Sequence, residues 1–252
     1  MNLRFLASAR SEVGLVRQKN EDSAVINGAL IAVADGMGGH VGGEIASKIA
    51  INSAVQLLPL LNNDEIDSES LDDFLLNSIL EIDADISDAI VDNPELSGMG
   101  TTFVGLALYR NRISILHIGD SRVYRARGKD FELLTRDHTV VQDLLDQGVI
   151  TEKEIGSHPQ RAMLTQALVG DGKITPVLIE HEVKAGDKFL LCSDGLSNFV
   201  AKSEIEKMLA GEDSVNKLVE LAYQNGAPDN VTVVVAQVGN GDTATEFFGA
   251  AK

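Results

Sequence analysis

The sequence is short of cysteine, of basic residues and of long apolar runs, and each shortage closes off a class of protein. Cys192 is the single cysteine in 252 residues. That excludes an internal disulfide framework and a four-cysteine zinc site, fits a reducing compartment and gives redox chemistry little support. Lysine and arginine number 21 against 38 aspartates and glutamates, a formal net charge of −17. This balance argues against a duplex-DNA binder, which needs clustered cations to displace counterions from phosphates, so nucleic acid is not an expected partner. The longest apolar stretches, such as 231–238 broken by Gln237, are strand-sized, and the N-terminus lacks the apolar run of a secretory signal. The expected location is cytoplasmic, with no membrane segment in the chain itself. A cytoplasmic portion of a longer, membrane-linked protein stays open.

No Pro/Ser-rich linker divides the chain, and a hydrophobic content of 44% is enough for a sizeable core, so one domain is expected. Acid is concentrated in residues 62–97, a stretch without Lys or Arg. Leu71, Leu75, Ile79, Ile82, Ile86 and Ile90 recur there at helical spacing, which reads as a helix with a solvated acidic face; repulsion of acidic substrates is the alternative. Apolar or alternating runs predict strands at 24–26, 30–34, 101–108, 112–118, 122–126, 188–192 and 231–238, with a short run at 131–134. Asn27-Gly28 predicts a tight hairpin between the first two. Helical periodicity covers 44–58, 71–91, 139–147 and 215–224, with Asp213 and Gly226 as start and stop signals for the last. Strands gathered in runs, without strict βαβ alternation, suit an α+β layered sandwich better than a doubly wound parallel sheet. Residues 239–252 lack periodicity and read as a tail or a cut linker.

Aspartates stand where apolar strands run out. Asp35 ends LIAVAD, Asp120 ends ILHIGD, Asp194 ends FLLCSD, Asp229 opens DNVTVVVAQV, and Asp22 follows RQKNE. Strand ends can gather such carboxylates, and an all-oxygen set without His or Cys favours Mg²⁺ or Mn²⁺ over zinc. Spacing alone does not unite four separated aspartates, which are also common loop residues.

The motifs RQKNED (17–22), VADGMGGHVGG (33–43), Gly100-Thr101-Thr102, GDSR (119–122), LTRDHT (134–139), Ser193-Asp194-Gly195 and Asp229-Asn230-Val231-Thr232 together resemble the ordered series of the PPM family, the PP2C-type protein phosphatases. The resemblance spans about residues 10–238, taken as the catalytic domain 1–238 in front of the tail, and is closest to bacterial members. It implies an α-β-β-α sandwich, two packed antiparallel sheets between helical layers, with a metal site at one edge. It implies Mn²⁺ or Mg²⁺, two per site: Asp35 bridging both, Gly36 contributing its carbonyl, Asp194 and Asp229 holding the first, Glu21 and Asp22 facing the second. Asp120 with Asp194 would form a weaker third site. The implied reaction is hydrolysis of phosphoserine and phosphothreonine by direct attack of water, with Arg17 holding the phosphoryl oxygens. The implied partners are phosphorylated proteins, Ser/Thr kinases and their targets, met by a monomer.

One departure concerns the proton donor. Many eukaryotic members carry a histidine after the Asp-Gly of the second motif, where this chain has Met37. His40 in the same glycine-rich turn is one candidate and a water on the metal is another. His117 reads as a strand residue and His138 as part of the LTRDHT turn. Residues 140–182 resemble the family's flap, with a capping-box pattern from Thr151 to Glu154 and Arg161 and Met163 as substrate-contact candidates.

Rival chemistries fail on spacing. A cysteine-dependent phosphatase needs arginine six positions after the nucleophile, but that position is Asn198; no G-x-S-x-G elbow occurs; and the glycines from 36 to 43 fit neither G-x-G-x-x-G nor a P-loop. The alternatives that remain are a general small-molecule phosphatase and a catalytically silent member that binds phosphoproteins or metal as a regulatory module. The signature of a silent member would be lost ligands, and Asp35, Asp194, Asp229 and Arg17 are all present.

Overall fold

The computed structural model describes residues 3–38 and 42–252. In chain order the first half runs β1 (Arg4–Glu12), β2 (Asp22–Ile26), β3 (Leu30–Met37), α1 (Gly43–Val55), α2 (Leu58–Leu61), α3 (Ser68–Asp92), β4 (Gly100–Thr101), β5 (Phe103–Tyr109) and β6 (Arg112–Ile118). The second half runs β7 (Arg122–Arg127), β8 (Asp130–Leu133), α4 (Val140–Asp146), α5 (Glu152–Ile155), β9 (Leu178–Glu182), β10 (Lys188–Cys192), α6 (Asp194–Ser197), α7 (Lys202–Ala210), α8 (Ser214–Gln224), β11 (Val231–Gly239) and β12 (Glu246–Gly249).

Two antiparallel sheets result, β1-β11-β10-β7-β8 and β12-β2-β3-β5-β6-β9, with β4 paired to β3. Three separate apolar cores mark three interfaces and hence four layers. Alternation along single strands sorts side chains between them. On β5, Phe103 and Ala107 face α1 and α3, whereas Val104, Leu106 and Leu108 face the other sheet. On β11, Val234, Ala236 and Val238 meet that inter-sheet core, while Val231 and Val233 pack under α7 and α8. Strands covered on both faces carry near-continuous apolar sequence, which is why 30–34 and 231–236 read so clearly. The four-layer α-β-β-α sandwich is the expected one.

Several local expectations need correction. The helix expected over 44–58 stops at Val55, and α2 restarts with Pro59 in its first turn, where a missing N–H is harmless. Asp213 does stand at the start of α8 as expected, at φ 52, but only its carbonyl caps the helix, accepting the Lys217 N–H at 3.2 Å, while its carboxylate accepts from the Asn216 side chain at 2.7 Å. Residues 239–252 are more than a tail, because Glu246–Gly249 pair antiparallel with β2. No helix among the described residues is long and apolar enough to cross a membrane.

Candidate active site

All the strand-end aspartates lie at one end of the sandwich. β3, β6 and β10 end there and β2 and β11 begin there, so Asp22, Asp35 and Asp120 come from one sheet and Asp194 and Asp229 from the other. Asp22 and Asp35 are direct register partners across β2–β3, which sets both side chains on one face. Arg17, Glu21, Asp35, Gly36, Asp120, Asp194 and Asp229 line a single cleft of about 540 Å³, and Asp22 lies fully buried beneath it. His40 lies outside the described residues. Met37 lines the cleft, and no histidine is among the described residues that do.

Hydrogen bonds and close backbone packing hold the chain around these carboxylates. The Asp35 carbonyl accepts the Thr102 N–H and the Thr101 hydroxyl, both at 2.9 Å, and its own N–H donates to Thr102 Oγ1 at 3.1 Å. The threonines therefore do more than start a strand. Gly36 admits no side chain: a Cβ there would run into the carbonyls of Gly43 and Glu21. Gly195 is fixed the same way by the Asn230 carbonyl.

Two residues without an assigned role in the sequence turn out to organise the site. Asn230, 4% exposed, accepts the Glu21 N–H at 2.9 Å and donates to the carbonyls of Val13 and Lys19 at 2.9 and 2.8 Å. It staples the loop bearing Arg17 and Glu21 to the start of β11. Ser193 donates to Asp22 Oδ2 at 2.8 Å and accepts the Thr232 N–H at 3.0 Å. Both belong to recognised motifs, but their partners are groups remote in sequence that no local pattern announces. His117 is buried, its pKa driven down to about 3 by burial and by His138, so it is neutral. The two rings lie 4.8 Å apart, and His138 Nδ1 accepts the Gly119 N–H at 3.1 Å beside Asp120.

Burial and mutual repulsion make the cluster electrostatically costly. Burial, then Asp22, Asp194 and Asp120, push the Asp35 carboxyl well above the usual range. Burial raises Asp22 to about 7 against the hydroxyls of Thr232 and Ser193. Asp120 rises to about 7 through burial and Asp194, and Asp194 to about 6 through burial and Asp229. Asp22 Oδ1 is buried with no hydrogen-bond partner among the described residues. Cations would relieve all of this. Among the described residues no three carboxylate, imidazole or thiol side chains form a ready-made metal cage. The carboxylate oxygens of the cleft are donors of the kind that hard ions such as Mg²⁺ and Mn²⁺ prefer. Arg17 stands at the mouth, exposed, with Nη2 donating to Asp229 Oδ2 at 2.8 Å and Nη1 3.9 Å from Glu21.

Paired antiparallel sheets opening at one end on a cleft lined by carboxylates are the architecture of the protein phosphatase 2C family. The protein phosphatase 2C family model matches residues 16–238, and the chain belongs to that family. The serine/threonine protein phosphatase PstP of Mycobacterium tuberculosis is 43% identical over 234 residues, covering 92% of this chain and 44% of that protein. The chain thus spans less than half the length of this relative. The serine/threonine phosphatase stp of Listeria monocytogenes is 31% identical over 244 residues, 92% of this chain and 95% of that protein. A crystal structure of the PstP catalytic domain in complex with two manganese ions superposes with a TM-score of 0.83 at 39% identity, covering 94% of this chain and 100% of that one.

Proposed function

We propose that the chain is a protein serine/threonine phosphatase that uses two Mn²⁺ or Mg²⁺ ions. The observation that carries this is the cluster of Asp22, Asp35, Asp120 and Asp194, buried together at raised pKa with too little positive charge beside them. Such a cluster is stable in its ionised form only with cations, and its oxygen donors suit these two. Asp35 with the Gly36 carbonyl, Asp194, Asp229, Glu21 and Asp22 are the proposed ligands, with Asp120 serving a weaker third ion. When bound, such ions supply Lewis acidity, making water a competent nucleophile at neutral pH and offsetting charge on the phosphoryl oxygens.

The chain's own residues do the rest. Arg17 has N–H groups beyond the one given to Asp229, and a planar fork at the cleft mouth orients a phosphate dianion for in-line displacement. Asn230 keeps that arginine's loop in register with Asp229. His40 is proposed to give the leaving serine or threonine oxygen its proton, since the thioether of Met37 has none to give. Residues 140–182 act as a flap, contributing Ala162 and Leu164 to the cleft wall. Phosphorylated Ser/Thr kinases and their targets are the proposed substrates, and a monomer the proposed state. Phosphate release from a phosphothreonine peptide in Mn²⁺, Mg²⁺ and EDTA tests the reading. Turnover that requires a divalent ion supports it; metal binding with no turnover sinks it in favour of a silent module.

A further inference from the structure

The cleft wall that contains Ala162 and Leu164 leaves the site through residues 168–172, and that exit is fastened from the outer helical layer. Asp83 occupies a core-facing position of α3, among Ile79, Ile82 and Ile86, and is only 3% exposed. Its Oδ1 accepts the N–H groups of Val169 at 3.0 Å and Gly170 at 2.8 Å, and its Oδ2 that of Gly172 at 2.9 Å. Three backbone donors compensate a buried carboxylate without any cation. The helix could have buried an apolar residue there more cheaply, so the aspartate's work lies in the loop it grips.

The contact is close from both sides. Gly170 has φ +75, and a Cβ on it would lie 2.7 Å from the Ser87 nitrogen of α3. Leu168 exchanges two backbone hydrogen bonds of 2.9 Å with Thr101. A Cβ on Gly100 would meet the Val169 side chain at 2.7 Å. Thr101 in turn donates its hydroxyl to the Asp35 carbonyl. A continuous series of bonds thus joins α3 to the backbone of Asp35, with the cleft wall hanging from its middle.

We propose that Asp83 is a positioning residue for substrate recognition: by fixing 168–172 it sets where Ala162 and Leu164 stand in the cleft that Arg17 also lines. A phosphorylated polypeptide, which must pass along that wall, depends on Asp83; a small aryl phosphate, which needs only the carboxylates and Arg17, does not. The kinetic part of the test rests on the phosphatase reading above, whereas the exchange part does not.

The test compares the intact chain with Asp83→Ala, Asp83→Asn and Gly170→Ala, assaying a phosphothreonine peptide and p-nitrophenyl phosphate in Mn²⁺, with amide hydrogen exchange over 157–172. Asp83→Ala and Gly170→Ala are expected to raise KM for the peptide about fivefold to tenfold, with kcat on both substrates and KM for the aryl ester held within about twofold. Exchange should quicken in 157–172 but not in β2 or β3. Asp83→Asn, which keeps one acceptor oxygen, should fall between, and with Gly170→Ala it carries the test if Asp83→Ala does not fold. Equal losses on both substrates, or unchanged peptide KM with unchanged exchange, would overturn the proposal. If the parent chain turns over neither substrate, the phosphatase reading fails, and the exchange pattern still decides whether Asp83 holds the wall.

Discussion

Two populations of buried aspartate occupy this molecule, and they are built on opposite terms. Asp187 is 2% exposed, yet Arg127 grips it through two hydrogen bonds of 2.7 and 2.6 Å and the Lys184 N–H donates at 2.8 Å. Its pKa is lowered, Arg127 and the Lys184 N–H outweighing the cost of burial. Asp137 likewise accepts hydrogen bonds on both carboxylate oxygens from Arg122, at 2.9 and 2.6 Å. Asp22, Asp35, Asp120 and Asp194 have mostly one another, and all four are raised. The first group is complete within the chain. The second lacks such partners, and this uncompensated negative charge is what supports the proposal that cations complete it.

The sharpest way to break this contrast is to neutralise one member of each group. Asp35→Asn or Asp194→Asn should lower kcat on the order of a thousandfold by removing a proposed metal ligand. The same variants should melt in EDTA no lower than the parent, because a like-charge repulsion has gone; calorimetry decides. A clear loss of metal-free stability would place these aspartates with the structural group. Arg17→Ala should lower kcat/KM about tenfold to a hundredfold, the value of a charged hydrogen bond to the phosphate, with Arg17→Lys recovering part. An unchanged kcat/KM would return Arg17 to the surface arginines. Asp187→Asn should do the reverse of Asp35→Asn, costing about 2 kcal/mol of stability in urea titrations, discounted for the partial exposure of Arg127, at unchanged kcat.

The smallest effect separates the groups by pH. Since Asp22, Asp120 and Asp194 titrate near 6 to 7 when folded, and an unfolded aspartate near 4, the metal-free native state binds more protons across that window. These groups therefore cost stability progressively as pH rises from about 4 to about 7. In EDTA the melting temperature should be higher by a few degrees at about pH 5 than at about pH 8, and saturating Mn²⁺ should reverse the order. An EDTA profile flat in pH would mean that this negative charge is relieved within the chain.

The fold and most of the cleft were legible because their signals are local. Apolar runs buried on both faces announce central strands, and an aspartate at each run's end survives as a visible punctuation mark. Uniting those aspartates took the ordered motif series, since nothing in 35, 120, 194 and 229 alone fixes their meeting. What escaped depends on distant partners. β1 and β12 are edge strands with weak alternation, fixed by pairing to β11 and β2. α7 has only Ile205 and Leu209 buried among charged residues. Asn230 reaches 217 residues back to Val13, and Asp83 grips a loop 86 to 89 residues ahead. Such side chains look like ordinary polar residues until the topology supplies the backbone they bind.

The β12 strand carries a practical lesson about trimming. The Ala250 N–H donates to the Asp22 carbonyl at 2.8 Å, and Gly249, at φ +65, lies so close to that carbonyl that no side chain would fit. Trimming at residue 238, where the family match stops, would remove a pairing strand and uncover the backbone of a deeply buried carboxylate. An engineer shortening this protein should keep the residues through Ala250, whose N–H holds the Asp22 carbonyl. A shortened chain that lost metal affinity would then be reporting a damaged edge, with every proposed ligand still in place.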